Sequence, residues 1–570
     1  MAAIPILAIA VVQGWLLYGL HYSLEHNVWP STQSSWLLAL YAVTLFVPVA
    51  LEIFSSRLRR RPTWLLAGAI AVIAGALGAY GGWVAESPSA DRFPFSLLFA
   101  LYGALFVAWF IALPFAQAWA RRGAWKVSYT DLFEFSWQNA LLLVEAGVFT
   151  GVFWILLGLW AGLFKVIEIA FFADLFSNAA FIYPATSITF GYAIYLIESH
   201  EKIVVTLRRH LLGVFGWLLP LVAVIAVLFM LALPFTGLEP LWKTRHATTL
   251  LLWLQIFFIH FLNSAYEDGQ QEPRYPAWLK LVLRIAVFTL PIYAALCAYS
   301  LGLRVEQYGW TVSRVWAAIA TFIAALYGIG YAAAALRRSP WMGGMARINV
   351  GMAAVVAGVF LLATAPILDP RRLSADSQAA IARSGSVAST KFDYDYLRFE
   401  LGRYGKDVLT ELSKGPNKEM AGLAAAVLTR KTRFDPQTVP TELIASRIEL
   451  RPTGTVLDPA FLKYLDGAIK EKRVEHPSCL TNVKQDACLM FAVDLNGDGV
   501  AEIVTFNAYP QPVYGKVNGH WNKVGNLVGG SSVDYRKIEA ELREGRVKTM
   551  PSGWRDITVG GARYTVQSVQ

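Results

Sequence analysis

Long apolar runs alternate with short polar segments through the first 368 residues of the chain. An α-helix needs about 20 residues to cross roughly 30 Å of hydrocarbon, because it rises about 1.5 Å per residue. Eleven runs reach that length, so the pattern predicts eleven membrane-spanning helices. The predicted spans are residues 2–21, 36–54, 64–84, 96–118, 138–163, 178–197, 211–235, 247–265, 278–301, 312–336 and 348–368.

Two runs carry local features that bear on their packing. The sixth run is open to two interpretations, because the segment from Phe171 to Tyr183 is also typical of a re-entrant or interfacial piece. In the third run, Gly78 and Gly82 form a G-x-x-x-G pattern, which lets two helix backbones approach closely. We therefore expect the third span to pack tightly against a neighbouring helix.

The pattern changes after Leu368. Apolar positions at helical spacing predict a juxtamembrane helical module at residues 369–433. Residues 434–570 contain short strand-like runs and turns, with one helix predicted in DPAFLKYLDGAIKEK and a hairpin around Asn518-Gly519. The predicted fold is thus an α-helical polytopic membrane bundle of about 11 spans at residues 1–368, followed by the helical module and a C-terminal α+β domain.

Composition supports this division. Hydrophobic residues make up 56% of the chain and charged residues 16%, and 28 of the 50 Lys and Arg residues lie at or after Asp369. A polytopic membrane protein with a soluble tail has this distribution. The net charge of +10 does not indicate a nucleic-acid partner, because the sequence has neither zinc-finger spacing nor a basic helix interleaved with aromatic residues.

The distribution of basic residues predicts the orientation in the membrane. With the N-terminus in the cytoplasm, the cytoplasmic loops hold fifteen Lys and Arg residues and the opposite loops hold six. Eleven crossings then place everything after Leu368 outside the cytoplasm, so the C-terminal domain is predicted to be extracytoplasmic. Cys479 and Cys488 agree with this side if they form a disulfide, which persists in an oxidising compartment. The alternative is two buried free thiols.

Oxygen-bearing side chains alternate in the loop of CLMFAVDLNGDGVAEIVTF, residues 488–506. This spacing wraps oxygen atoms around a hard cation such as Ca²⁺, and Gly499 permits the sharp turn. The alternative is a turn that favours Asp, Asn and Gly for backbone reasons and binds nothing. A calcium site here would be structural rather than catalytic. Its candidate ligands are Asp494, Asn496, Asp498, the main-chain carbonyl near Val500, and Glu502.

The loop also resembles the D-x-N-x-D-G-x-x-E loops of FG-GAP and VCBS-type β repeats, which occur in extracytoplasmic proteins. Such repeats usually come several to a propeller. The chain has one copy, so we expect a small β-rich domain instead.

Four polar residues inside the predicted spans are singled out as candidates: Glu145, Gln255, His260 and Arg284. Polar and ionisable groups are costly in a bilayer, so each is a candidate functional residue. Glu145 and Arg284 carry opposite charges at a similar depth and are candidates for an ion pair that His260 could join. Two interpretations remain open: a polar path for protons or substrate, and a buried ion pair that fixes helix packing.

Three stretches carry a family resemblance. They are KVSYTDLFEFSWQNALLLVEAGVFTGVFWILLGLWAGLFKVI, LPFTGLEPLWKTRHATTLLL, and LRVEQYGWTVSRVWA together with FDYDYLRFELGRYG. They resemble the bacterial multi-pass membrane proteins grouped as domain of unknown function 4153, over most of residues 1–412. The resemblance implies an integral protein of the bacterial inner membrane and supplies no reaction, ligand or catalytic residue. It draws attention to a set of residues on the predicted outer face that we expect to meet the tail: Thr236, Gly237, Trp242, Thr244, Gln307, Tyr308 and Gly309.

Three functions are compatible with these features. The first is a transporter-like or lipid-handling protein with a periplasmic gating or docking domain. The second is a non-transporting envelope scaffold or sensor, whose calcium-stabilised domain binds a periplasmic protein or another envelope component. An enzyme acting on a membrane-borne substrate ranks last, because the Walker, HExxH, GxSxG and kinase motifs are missing and no catalytic residue is predicted.

Overall fold

A computed structural model of the chain describes residues 3–85, 95–122, 127–198, 201–240, 247–271, 273, 275–337, 341–430, 432–433, 441–471, 476–481, 487–506, 511–527, 544, 557–559 and 562–564. The chain divides into two compact units. The first comprises Met1–Ser384 with Phe399–Val408, and the second comprises Gly385–Arg398 with Leu409–Gln570. The helix that follows the last span, at residues 370–384, thus belongs to the first unit.

The described helices up to Ser384 are α1 (Ala3–His26), α2 (Ser34–Ile53), α3 (Arg61–Ala85), α4 (Phe95–Arg122), α5 (Tyr129–Val166), α6 (Phe171–Ser177), α7 (Ala179–Glu198), α8 (Glu201–Thr236), α9 (Ala247–Tyr266), α10 (Ala277–Val287), α11 (Thr289–Tyr308), α12 (Val312–Ala335), α13 (Met345–Ala363) and α14 (Pro370–Ser384). In the described residues, eleven helical segments are long and apolar enough to cross a membrane, with α10 and α11 counted as one. The predicted number of spans is confirmed.

The structure refines two of the predicted spans. In the sixth run, α7 is long enough to cross by itself, and residues 171–177 form the separate short helix α6. The ninth span is broken at Phe288, between α10 and α11. Pro291 explains the break, because it has no N–H to donate to the carbonyl of Val287.

The third span packs tightly on the second, as its glycine pattern predicts. A Cβ atom added to Gly78 would lie 2.6 Å from the carbonyl oxygen of Leu38 on α2. One added to Gly82 would overlap the main chain of Ser34. Both positions therefore require glycine for the backbones of α2 and α3 to come this close.

Two buried clusters hold the bundle together. One lies among α2, α3, α4, α5 and α7, with Phe46 and Trp109 among its members. The other lies among α8 to α13 and contains Phe258 and Tyr293. Many large apolar side chains point outward instead, as expected for a surface that faces lipid tails; Phe235 on α8, for example, is 90% exposed.

Helix α14 packs beside the start of α12 within the first unit. The main-chain N–H of Trp310 donates to the hydroxyl of Ser377 at 2.9 Å, and the Gln378 amide donates to the carbonyl of Tyr308 at 3.3 Å. The segment around Tyr308 and Gly309 thus meets the helix after the last span, as expected from the sequence. Trp242 and Thr244, from the same expectation, lie outside the described residues.

The second unit contains a five-stranded sheet in the order β1-β2-β3-β4-β5. Strands β1 and β2 are parallel and the other pairs are antiparallel; β4 and β5 form the hairpin predicted around Asn518-Gly519. The strands are β1 (Ile448–Arg451), β2 (Cys488–Val493), β3 (Glu502–Thr505), β4 (Gln511–Val517), β5 (His520–Leu527), β6 (Ile557–Val559) and β7 (Ala562–Tyr564), the last two forming a separate hairpin. The remaining helices of the chain are α15 (Tyr394–Glu400), α16 (Gly402–Leu412), α17 (Lys418–Leu428), α18 (Thr441–Ser446), α19 (Pro459–Lys470) and α20 (Ser478–Thr481). The end of α15 and most of α16 belong to the first unit.

Helix α19 lies where the sequence predicts a helix, and it connects β1 to β2. Its apolar residues Phe461 and Leu465 are fully buried with Met490 of β2 and Tyr514 of β4. One face of the sheet is thus covered by the crossover helix, as parallel strand pairs require.

Candidate functional site

A cavity of about 370 Å³ opens among α4, α5, α9, α12 and α13 within the bundle. Most of its wall is apolar or aromatic, and Pro114 interrupts the hydrogen-bonding pattern of α4 on one side. The residues lining it are Phe110, Ile111, Pro114, Phe115, Tyr129, Leu132, Phe133, Ser136, Trp137, Ala140, His260, Asn263, Ser264, Tyr327, Asn349, Val350 and Ala353. Small-molecule sites commonly combine such walls with a few polar groups.

A closed hydrogen-bond network borders the cavity and joins four helices. The hydroxyl of Tyr331 donates to Asn349 Oδ1 at 2.6 Å and accepts from Asn263 Nδ2 at 2.7 Å. Asn349 Nδ2 donates to Asn263 Oδ1 at 2.7 Å and to the hydroxyl of Tyr129 at 3.0 Å. Tyr129 in turn donates to the carbonyl of Glu267 at 3.2 Å. The amide and hydroxyl groups satisfy one another, so this network holds the helices in register.

His260 is the predicted residue that faces this cavity. Its ring packs edge-on against Phe215 at 5.0 Å. In the described part of the chain, neither its ring nitrogens nor the hydroxyl of Ser136 have a hydrogen-bond partner in the protein. These two groups can therefore bond to a molecule inside the cavity.

The other three predicted polar residues do not join His260. Arg284 donates from Nε and Nη2 to the carbonyl of Ala335, at 2.9 and 2.7 Å, and so caps the C-terminus of α12. Gln255 is fully buried and donates to the carbonyl of Leu251 at 3.2 Å. Among the described residues no ion pair joins Glu145 to Arg284, and one buried oxygen of Glu145 has no partner.

The asparagines and tyrosines of the network were not predicted from the sequence. Asn263 and Asn349 each stand near the end of an apolar run, where an interfacial position explains a polar residue equally well. The signal that could have found them is that both amides fall at the same predicted end of the bundle. Only the packing of both α9 and α13 against α12 brings the two together.

In the C-terminal domain, the acidic loop folds back on itself. The main-chain N–H groups of Gly499 and Gly497 donate to the carboxylate of Asp494 at 3.0 and 2.7 Å, and they hold its pKa below the usual range. Asn496 Nδ2 donates to Asp498 at 3.0 Å and to Glu502 at 3.1 Å. The four side chains predicted as ligands are thus drawn into one small loop.

The donor set of the loop suits Ca²⁺, although its groups are engaged with one another. Glu502 also accepts from the N–H of Leu495 at 2.8 Å. In the described residues no group of three or more His, Cys, Asp and Glu side chains is placed to hold a metal ion. Asn496 would first have to turn its amide, because Nδ2 and not Oδ1 faces the two carboxylates. After that rotation, Asp498, Glu502 and Asn496 would offer three oxygens.

Cys479 and Cys488 form the predicted disulfide, with their Cα atoms 5.3 Å apart. It joins α20 to the first residue of β2. Arg447 is almost fully buried beside this disulfide. Its guanidinium donates from Nε and Nη2 to the carbonyl oxygen of Cys479, at 3.2 and 2.9 Å, and so holds α20 in place. The C-terminal unit is therefore covalently closed at the start of β2, the second strand of its five-stranded sheet.

Comparison with known proteins identifies the bundle but not its activity. No curated protein and no solved structure matches the chain. The match to a family model ends at residue 412, before the acidic loop, so the resemblance of that loop to FG-GAP and VCBS repeats stays a prediction. The model described as Domain of unknown function (DUF4153) matches residues 32–412, about two thirds of the chain, and the chain therefore belongs to that family.

Proposed function

We propose that the bundle is a lipid-handling membrane protein that binds an amphiphilic molecule from the bilayer in the cavity beside His260. The proposal rests on one observation: an apolar wall is combined with two polar side chains, His260 and Ser136, that have no hydrogen-bond partner among the residues the structure describes. Acyl chains fit the wall contributed by α4 and α5, and the imidazole and hydroxyl offer hydrogen bonds to a head group.

Photocrosslinking tests this directly. The full-length protein in membranes is exposed to a photoreactive phospholipid, and crosslinked peptides are identified by mass spectrometry. We expect crosslinks on the cavity walls of α4 and α5. Ala353→Trp, which fills the cavity, and His260→Leu should each reduce them several-fold. His210→Leu is the matched control, because His210 is exposed on α8 and does not line the cavity. Equal crosslinking in all three variants and the wild type would refute the proposal.

The second candidate function, an envelope scaffold or sensor, is supported by the acidic loop. We propose that Asp494, Asn496, Asp498 and Glu502, with the carbonyl near Val500, bind one Ca²⁺ ion that stiffens the C-terminal domain. The supporting observation is that Asn496 already contacts Asp498 and Glu502 across a loop only nine residues long, into which the Asp494 carboxylate is also held by the N–H groups of Gly497 and Gly499. Binding at this kind of extracellular site is expected at roughly 10⁻⁴–10⁻³ M.

Calcium titration of the full-length protein, followed by hydrogen exchange, tests the site. We expect added Ca²⁺ to slow exchange in β2 and β3, which flank the loop, and Asp498→Ala to abolish the effect. Asp466→Ala is the matched control, because Asp466 lies on α19 and pairs with Lys470. If exchange in the wild type is unchanged well above the expected dissociation constant, the loop is a turn that binds nothing.

We also propose the bacterial inner membrane as the location, with the N-terminus in the cytoplasm and the C-terminal domain in the periplasm. The excess of basic residues on one set of loops, the odd number of spans and the disulfide support this orientation. A fluorescent reporter that folds only in the cytoplasm, fused at Gln570, should stay dark. Fluorescence from that fusion would reverse the orientation.

A further inference from the structure

Glu52 carries a fully buried carboxyl group. Its side chain is fully inaccessible to solvent, near the end of α2, and neither Oε1 nor Oε2 has a hydrogen bond in the described part of the protein. The carboxyl was not among the residues predicted from the sequence, because its position beside a basic loop is typical of an interfacial residue. Its complete burial is a property of the packed bundle.

The neighbouring helices leave room for this carboxyl. Gly191 of α7 faces it: a Cβ atom there would lie 3.2 Å from Glu52 Oε1 and 2.8 Å from the Cβ of Ala10 on α1. Gly191 is seven residues, about 10 Å of helical rise, from the end of α7. The carboxyl therefore occupies a niche lined by the smallest residues, well inside the helix bundle.

An ionised carboxylate in this niche would lose its hydration without gaining a hydrogen bond or a cation. That loss is far larger than the cost of burying a neutral carboxylic acid. Glu52 therefore holds a proton in the packed bundle, and releasing that proton requires water or a polar partner to reach it. Leucine or glutamine would fill such a niche without a titratable group, so packing alone gives no reason for glutamate.

Polar groups able to carry a proton begin three residues beyond Glu52, just after the end of α2. Ser55 follows Glu52 by three residues, and its hydroxyl donates to Glu198 Oε2 at 3.4 Å. Glu198 lines a separate cavity of about 150 Å³, together with Arg57, Gln117 and Asn139. This cavity is distinct from the one beside His260, and its polar walls suit water.

The charged groups around this route lie outside the niche. Helix α1 contributes Ala10 beside the carboxyl, and α7 contributes Gly191. The described residues form no ion pair with Glu52. The charged residues at the same end of the packed helices α2, α3, α4 and α7 are Arg57, Arg59, Arg60, Arg61, Arg121, Arg122 and Glu198.

We propose that Glu52 is a proton-binding site of the bundle, which exchanges its proton with the aqueous phase through Ser55, Glu198 and the polar cavity. Glu198 acts as the outer proton acceptor, and Glu52 as the inner one. The niche can then be opened or closed by small movements of α1 and α7 against α2. This function is independent of lipid binding beside His260, because the two sites share no residue.

Infrared difference spectroscopy of the full-length protein after a jump to alkaline pH tests the proposal. We expect the wild type to lose a carbonyl band of a protonated carboxylic acid. Glu52→Gln should remove that component, whereas Glu198→Gln should keep it and slow its decay several-fold. Glu145→Gln is the control: Glu145 also lies in a span with one buried oxygen, but it does not line the polar cavity. Removing the Glu145 carboxyl should leave the Glu52 carbonyl band and the decay rate of that band unchanged.

Wild-type protein provides a second readout that does not depend on how a variant folds. Dicyclohexylcarbodiimide modifies protonated carboxyl groups in apolar surroundings, and mass spectrometry locates the adduct. We expect an adduct on Glu52 at neutral pH that decreases several-fold at alkaline pH. The proposal is overturned if Glu52 is unmodified at every pH, or if its modification does not depend on pH. An unchanged decay rate in Glu198→Gln would remove Glu198 from the route.

Discussion

Replacing Tyr331 with phenylalanine removes one hydroxyl group from the centre of the network beside the cavity. The side chain is fully buried, and its hydroxyl makes one hydrogen bond to Asn349 on α13 and another with Asn263 on α9. Phenylalanine keeps the ring and its edge-on contact with Tyr327. The substitution therefore changes polar interactions and leaves the apolar packing nearly intact.

The expected cost follows from these two bonds. Hydrogen bonds between membrane helices contribute about 0.6 kcal/mol each on average, which gives about 1.2 kcal/mol for the pair. Asn349 Oδ1 also loses its donor, but Asn349 is half-buried beside the cavity, so its unsatisfied acceptor adds at most about 1–2 kcal/mol, the lower part of the range for buried groups. We therefore expect Tyr331→Phe to lower the free energy of unfolding by about 1–3 kcal/mol.

Reversible unfolding of the full-length protein in mixed micelles, titrated with a denaturing detergent, measures this difference. Tyr327→Phe is a matched control one turn earlier on α12. Tyr327 lines the same cavity, and its hydroxyl has no hydrogen-bond partner among the described residues. We expect that control to change the free energy of unfolding by less than about 0.5 kcal/mol, as a substitution away from any polar network does.

Equal free energies for the two variants would refute the reasoning, because they would show that the network contributes nothing beyond ring packing. A large loss in Tyr327→Phe alone would place the important hydroxyl in the cavity instead.

Three further predictions follow from contacts elsewhere in the chain. Gly82→Leu should destabilise the bundle by at least about 1–3 kcal/mol, because the added side chain would overpack against α2. Gly103→Leu is the control, because Gly103 faces open space, and it should not destabilise the bundle. Unfolding by titration with a denaturing detergent compares the two variants. The indole N–H of Trp521, with the Lys516 ammonium, lowers the pKa of the helix-capping Asp458 to about 2. Asp458→Ala should therefore cost about 1 kcal/mol at neutral pH, measured by hydrogen exchange in β5. Because the folded-state pKa is lowered, this contribution is complete above the unfolded-state value of about 3.9 and disappears as the pH falls toward 2. Cys488→Ser should destabilise the sheet by about 2–3 kcal/mol, the chain-entropy value for the short loop that the disulfide closes. Hydrogen exchange in β2 should become faster, and unchanged exchange would contradict this prediction.

Local sequence signals predicted those features whose cause is also local. The spans follow from the length of apolar runs, the tight contact of α3 from Gly78 and Gly82, and the β4–β5 hairpin from Asn518-Gly519. The cysteine spacing favoured the disulfide, with two buried free thiols as the alternative from the sequence alone. In each case a few neighbouring residues contain the physical reason.

The polar groups inside the bundle were harder to predict, because the sequence gives depth along a helix but not direction around it. Glu145 and Arg284 stand at similar depths, yet Arg284 bonds to the end of α12 and makes no ion pair with Glu145 in the described residues. The break at Phe288 was also missed, since proline is common in membrane helices and does not always interrupt them.

The sequence by itself determined that this chain is a membrane protein of eleven spans with a polar tail, because hydrophobicity and helix length act residue by residue. Only the tertiary structure decided which polar groups meet. It brought Asn263, Tyr331 and Asn349 together from three helices and enclosed Glu52 between α1, α2 and α7. The physical reason is that the rotation of each helix is set by its neighbours, through close backbone contacts at small residues, and not by its own composition.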